Sequence, residues 1–223
     1  MQGACRVISH LPFVSRLVFG GLLPAGPPCS LYVSISQSVH QRSADNLRGN
    51  LNCFKVRLSN LIVDNFVVIL NLVEIFRPDI KLVLEQPISS YMFKQVDFAA
   101  IISKLNLRKV LTYLGLYGHD LEKATHLWLN VRRGSRLART MNAKNKRRFQ
   151  TRIEKKKERI LSRGGTLPVY YVKDKNGGYH GGPDLAGSVH YPAGFVSAVF
   201  RLWETAWIED HLRQARLKRA LPQ

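Results

Sequence analysis

Acidic residues are scarce in this chain of 223 residues: 15 Asp and Glu stand against 34 Lys and Arg, a net charge of +19. Such an imbalance points to phosphate-rich or anionic partners and says little about fold. Cysteine is also scarce. Cys5, Cys29 and Cys53 are too few and too scattered for a disulfide framework, no CxxC pair or His/Cys ladder suggests zinc, and a reducing compartment is the default. No metal site is expected. No run reaches the ~20 apolar residues of a spanning helix, because the most apolar window, Leu61 to Phe76, is interrupted by Asp64, Asn65, Asn71 and Glu74. No membrane partner is expected. The first 44 residues contain no acid. That is a weak organelle-presequence signal, crowded by Gly and Pro, and a nuclear or other intracellular location is the main expectation.

What is present is a globular composition, 45% hydrophobic, long enough for one sizeable core. Leu17–Phe19 and Leu22-Leu23 are strand material, and Gly26-Pro27-Pro28-Cys29-Ser30 stops regular structure. Residues 31–50 are polar and read as a surface loop. A helix is predicted from about Leu51 to Phe76, with Arg57, Asn60, Asp64, Asn71 and Glu74 forming a narrow solvent stripe on an otherwise buried cylinder. Arg77-Pro78-Asp79 ends it. Ile80–Leu84 is a short apolar run of the central-strand kind, leading into Glu85-Gln86-Pro87. Ser89 or Ser90 can cap a following helix with Met92, Phe93, Val96, Ala99, Ala100 and Ile102 or Ser103 inward. Lys109–Leu114 and Thr125–Leu129 read as strands, the second antiparallel to the first, around a turn at Tyr117-Gly118-His119-Asp120.

The charge is concentrated. Residues 132–163 hold fourteen Lys or Arg and two Glu, so this segment supplies +12 of the +19. Asn142 to Arg163 is a good helix former, with Phe149, Ile153, Ile160 and Leu161 as one thin apolar stripe and Glu154 and Glu158 within reach of neighbouring lysines. Phosphate contact is the economical reading, with Arg132, Arg133, Lys146, Arg147, Arg148, Lys155, Lys156 and Lys157 as the expected nucleic-acid-binding residues; a solvated arm or a nuclear-type address is the plainer one. Residues 164–190 are Gly-rich and read as loop, and an amphipathic helix from about Pro192 to Arg219 closes the chain, with Phe195, Val196, Val199, Phe200, Trp203 and Trp207 inward. His119 and His126 have no partner at metal-ligand spacing and read as structural.

The order of Gly-Pro-Pro-Cys, long helix, strand ending in Glu, Tyr-Gly turn and strand, over about residues 20–130, resembles the middle of DNA (cytosine-5) methyltransferases. The resemblance implies an α/β fold, a Rossmann-like methyltransferase layer sandwich truncated at its N-terminus and carrying a basic helical insertion. Residues 1–131 would be a partial methyltransferase-like core, 132–190 the basic helix and Gly-rich insertion, and 191–223 a C-terminal helix packing on the core. It implies Cys29 as the nucleophile that attacks ring carbon 6 of a flipped cytosine and Glu85 as the acid at ring nitrogen 3. Pro28, Gln86 and Lys123 would support them: Gln86 replaces the family's loop-bracing Asn, and Lys123 is the one basic residue after the Tyr-Gly turn that can stand in for the family's arginines. S-adenosylmethionine would be the cofactor of an active protein. Only 28 residues precede Cys29, without the acidic-and-glycine fingerprint of a donor site, and Gly20-Gly21 alone is weak. The expected partner is nucleic acid, DNA ahead of RNA, together with a second chain able to supply the donor site. Activity is left open between an enzyme and an inactive remnant. The alternative is a non-catalytic nucleic-acid-binding protein that uses residues 132–163.

Overall fold

The computed structural model describes residues 14, 16–173, 175, 179–185 and 190–220. Cys5 lies outside the described residues, as do residues 1–13 and 15 of the acid-free leader. The elements are strands β1 (Leu22–Ala25), β2 (Lys81–Pro87), β3 (Arg108–Tyr113), β4 (Ala124–Leu129), β5 (Tyr171–Lys173) and β6 (Tyr179–Gly181), and helices α1 (Gln37–His40), α2 (Phe54–Phe76), α3 (Val96–Lys104), α4 (Ala143–Leu161) and α5 (Ala193–Ala220). The fold is mixed α/β.

Four strands form one mixed sheet in the order β1-β2-β4-β3, and β5-β6 is a separate hairpin. β1 and β2 run parallel, joined by the α2 crossover, whereas β4 is antiparallel to both β2 and β3. Strand β2 is buried on both faces from Leu82 to Gln86, which is why Leu82, Val83 and Leu84 are apolar in succession. Its alternation sends Leu82 and Leu84 into a core with Leu70 and Val73 of α2 and Phe98 and Ile101 of α3. Val83 goes into a second core on the other face, with Leu127 and Leu129 of β4 and Phe195, Val199 and Leu202 of α5. Gln86 thus belongs to the α2/α3 side and Glu85 to the α5 side.

Several sequence expectations shift. Leu17–Phe19 is not strand; Val18 and Phe19 are exposed, and β1 begins at Leu22. β2 continues to Pro87, so Glu85 sits inside the ladder opposite Leu127 rather than past its end. Helix α2 starts at Phe54, and its polar positions are not a solvent stripe. Asn60 is buried, Asp64 pairs with Arg48 and Glu74 with Lys104, while Phe54, Leu58, Ile75 and Phe76 are exposed. This helix has the length and hydropathy of a membrane span, a third of its most apolar window being buried; here it is the crossover helix of the sheet.

The polar stretch 31–50 is not simply a surface loop. It wraps Arg42, which is fully buried, stacks on Tyr32 at 3.7 Å, and donates to Leu31 O, Leu47 O, Asn60 Oδ1 and Ser59 Oγ at 2.6–3.0 Å. A buried cation is tolerated because its donors are so fully matched. Ser90 does not cap α3. Its hydroxyl accepts from Met92 N at the turn before the helix; Met92 is buried and Phe93 and Ile102 pack on the core as expected, but on α3 the buried residues are Phe98 and Ile101, with Val96, Ala99, Ala100 and Ser103 exposed. In the Gly-rich stretch the hairpin β5-β6 forms instead of a uniform loop. On α5, Phe195, Val199, Leu202 and Ala206 face inward, whereas Val196, Phe200 and Trp207 keep 38–49% of their surface.

Candidate functional site: a thiol, a carboxylate and a basic groove

At one end of the sheet the register sets the geometry. Ala25 is opposite Leu84, so the next residues, Gly26 and Glu85, come level where the Gly-Pro-Pro-Cys loop leaves β1. The carboxyl ends of neighbouring parallel strands are where open α/β sheets place ligands. A Cβ on Gly26 would stand 3.4 Å from Glu85 Oε2, which measures how closely the loop backbone approaches the carboxylate. Gln86, pointing to the opposite face, is fully buried. Its Nε2 donates to Pro27 O at 2.5 Å and its Oε1 accepts from Ser90 Oγ at 3.0 Å, so one side chain ties the Gly-Pro-Pro-Cys loop to β2 and to the turn beyond it.

Glu85 is 6% exposed and fully partnered. Its Oε1 accepts from Thr125 Oγ1 at 3.2 Å and its Oε2 from the Tyr191 hydroxyl at 2.8 Å. Cys29 is half-buried. Burial first and the Glu85 charge second push its thiol above the ordinary value, against a smaller lowering by Lys123. Cys29 and Glu85 are therefore electrostatic neighbours, and the thiol is held in its protonated form. Neither Arg42 nor Arg48, the basic residues that follow Cys29 in sequence, is free to lower its thiol. Arg42 is locked inside its own cage and Arg48 pairs with Asp64 at 2.7 Å. Lys123 takes that place. It sits in the left-handed region at φ 41, the residue before β4, with its ammonium 5.7 Å from the Tyr191 ring centroid. Pro28 is exposed and stiffens the loop.

Beside Glu85 lies a cavity of about 160 Å³ lined by Pro24, Gly26, Val83, Tyr191, Phe195 and Val199 among others, apolar apart from the carboxylate and the phenol. Tyr191 and Thr125 were not legible as site residues. Thr125 shares the alternation of its strand with Leu127 and Leu129 and carries no separate signal. Tyr191 comes from the segment before α5, 106 residues from Glu85.

A second, larger cavity of about 1130 Å³ lies along α4. Lys144, Arg147, Arg148, Arg152, Lys155, Lys156 and Arg159 line it, with Asp120 as its acid. The helix has no buried residue. It is attached by Phe149 against Gly115, by Arg152, which donates to Gly115 O (3.0 Å) and His119 O (2.5 Å), and by a 2.6 Å Lys156–Asp120 ion pair. Lys156 and Tyr170 hold the Asp120 carboxyl below its usual range despite burial, which alone would raise it. Of the expected phosphate contacts, Arg147, Arg148, Lys155 and Lys156 line this groove, whereas Lys146 and Lys157 do not. Arg132 and Arg133 are elsewhere, paired with Glu209 and Asp210 on α5 at 3.0–3.9 Å. Neither Glu154 nor Glu158 makes an ion pair among the described residues.

A donor such as S-adenosylmethionine requires a glycine turn with free backbone N–H groups and a ribose-binding acid. Gly20-Gly21 does not fit. The Gly20 N–H donates to Asp79 at 2.6 Å, its carbonyl accepts from Trp203 Nε1 at 2.9 Å, and a Cβ there would stand 3.2 Å from Trp207 Cδ1. Trp203 and Trp207 are thereby accounted for as packing on this turn. The chain matches no protein-family model, no curated protein and no solved structure.

Proposed function

We propose that this chain is a DNA (cytosine-5) methyltransferase-like, nucleic-acid-binding protein on a Rossmann-like half-sheet, with Cys29 and Glu85 as its base-attacking pair and α4 as its phosphate contact. The observation that carries this reading is the Gln86–Pro27 hydrogen bond, because it gives the residue after Glu85 the loop-bracing duty that the sequence resemblance implies for that position. The β1–α2–β2 crossover, a unit of doubly wound sheets, also supports it.

The chemistry follows from the coupling of the two groups. A cytosine ring resists attack at carbon 6 until nitrogen 3 accepts a proton or a strong hydrogen bond. In the resting site the Glu85 carboxylate accepts from Tyr191 and Thr125 and, after burial, raises the Cys29 thiol. Transfer of the Cys29 proton to the Glu85 carboxylate removes that repulsion and creates a carboxylic acid for nitrogen 3. Sulfur then bonds carbon 6, the C5=C6 π pair moves toward nitrogen 3, and nitrogen 3 takes the proton. Carbon 5 of the adduct is enamine-like and exchanges its hydrogen with water, and reversal expels the thiolate. No methyl donor enters these steps. A base within a duplex must first be extruded.

The test is release of tritium from carbon 5 of a cytosine-containing oligonucleotide, with no donor added. Wild-type protein should release it above background, and Cys29→Ser and Glu85→Gln should each abolish release. No release from the wild type, with oligonucleotide binding intact, would remove the catalytic half of the proposal. What remains is the second reading, a non-catalytic binder. It is favoured by one specific observation: the glycine turn that could hold a donor is filled by Trp203, Trp207 and Asp79.

A further inference from the structure

Three features place Tyr191 in the position a base would need. Its hydroxyl donates to Oε2 of Glu85, and both residues line the small cavity. Its ring lies 5.7 Å from the Lys123 ammonium and 5.7 Å from the Phe195 ring, tilted 42°. The loop backbone makes room for it only because residue 26 is glycine: a Cβ there would stand 1.9 Å from the Tyr191 hydroxyl oxygen. Phenol and pyrimidine share a size, a planar six-membered ring and an edge able to hydrogen-bond a carboxylate. The ring's cationic and aromatic neighbours are those that would serve a base.

We propose that Tyr191 is an intramolecular occupant of the Glu85 site, which a pyrimidine-sized ring must displace before it can reach the carboxylate. This rests on the function proposed above and adds to it a self-blocked resting state. The phenol stays neutral throughout, since burial and the adjoining Glu85 charge hold its ionisation well above the ordinary range. It therefore leaves as a hydrogen-bond donor, and the exocyclic amino group of an incoming cytosine can donate to Oε2 in its place, beside the ring nitrogen that later takes the proton. The energetic demand falls on moving the ring, not on leaving a buried carboxylate bare. Tyr191 keeps 37% of its surface exposed and directly precedes the Pro192 that leads into α5, so it can swing outward without opening a core. A site occupied by its own side chain binds more weakly by the fraction of time it stands open.

The experiment compares two single-stranded oligonucleotides identical except that one carries a single cytosine and the other an abasic position there. Their affinities are measured by fluorescence anisotropy. Backbone contacts to α4 are common to both, so the ratio of affinities isolates the base. Wild type should give a ratio near one. Tyr191→Ala should raise it at least tenfold, Tyr191→Phe should raise it less because the ring remains, and Tyr191→Ala with Glu85→Gln should return it to one. An unchanged ratio in Tyr191→Ala, or equal discrimination already present in the wild type, overturns the proposal while leaving tritium release free to stand. If neither oligonucleotide binds any of the proteins, 1-methylcytosine is titrated into wild type and Tyr191→Ala by calorimetry. Saturable binding only to the variant supports the self-blocked site, and its absence overturns it. Circular dichroism melts confirm that each variant is folded.

Discussion

The salt dependence of nucleic-acid binding can be worked from the groove residue by residue. Seven Lys and Arg line the cavity along α4, but Arg152 is spent on two carbonyls and Lys156 on Asp120, which leaves five uncommitted: Lys144, Arg147, Arg148, Lys155 and Arg159. From Lys144 to Arg159 the helix advances about 22 Å, enough for several consecutive phosphates. Five contacts give a slope of log K against log salt of about −4.5 for duplex DNA and about −3.5 for a single strand. Raising salt from 50 to 200 mM should then weaken duplex binding by about 500-fold. Arg147→Gln with Arg148→Gln removes two contacts, so the slope should fall to about −2.7 and the same salt step should cost only about 40-fold. Lys146→Gln with Lys157→Gln removes the same charge from outside the groove and should change the slope by less than half as much. Anisotropy titrations of a short labelled duplex at four salt concentrations measure all three. A wild-type slope shallower than about −1.5, or equal effects of the two double variants, would refute the division into committed and free cations.

Three further outcomes are expected. Arg42→Ala should lower unfolding stability in urea by about 3–5 kcal/mol, because it strands the buried acceptors that the guanidinium satisfies, and Arg42→Lys should not rescue it, since an ammonium cannot reproduce the planar fork that reaches Leu31 O, Leu47 O, Asn60 and Ser59. His40 is buried with its Nδ1 accepting from Arg42 N and its Nε2 facing Val33 O, so burial foremost, with the Arg42 charge, depresses its protonation. A base protonated less readily when folded contributes stability above its unfolded value of about 6.5 that is lost as pH falls through the lower folded value. Melting temperature should therefore drop below about pH 6.5, and His40→Gln should flatten that part of the profile. Alkylation of Cys29 by iodoacetamide, followed by peptide mass spectrometry, should rise with pH at a midpoint above that of a free thiol; Glu85→Gln should move it down and Lys123→Met up. A midpoint unmoved by Glu85→Gln would show that the two groups do not face each other.

The elements with clear periodicity were legible in the sequence. Helix α4 spans Ala143–Leu161 within the stretch 142–163 marked by its helix-forming composition, and β4 shows the alternation of Thr125, Leu127 and Leu129. What misled was polarity taken as exposure. Asn60 and Arg42 read as surface residues because each alone is hydrophilic, yet each satisfies the other inside the protein. The phase of α3 was lost for a related reason: its apolar positions are too numerous to mark one face, and the sheet selects Phe98 and Ile101.

Residue chemistry and local order were properties of the chain alone: the charge surplus, its concentration on one helix, the Pro-braced thiol and the acid following an apolar run. Those depend on neighbours within a few positions. The identity of the cations left free in the groove, the brace from Gln86 to Pro27 and the phenol of Tyr191 on Glu85 were decided by tertiary structure. Each joins residues 59 or 106 positions apart, or further commits a side chain to a carbonyl on another element. Hydrogen bonds of that reach follow from strand register and helix packing, and no local pattern encodes them.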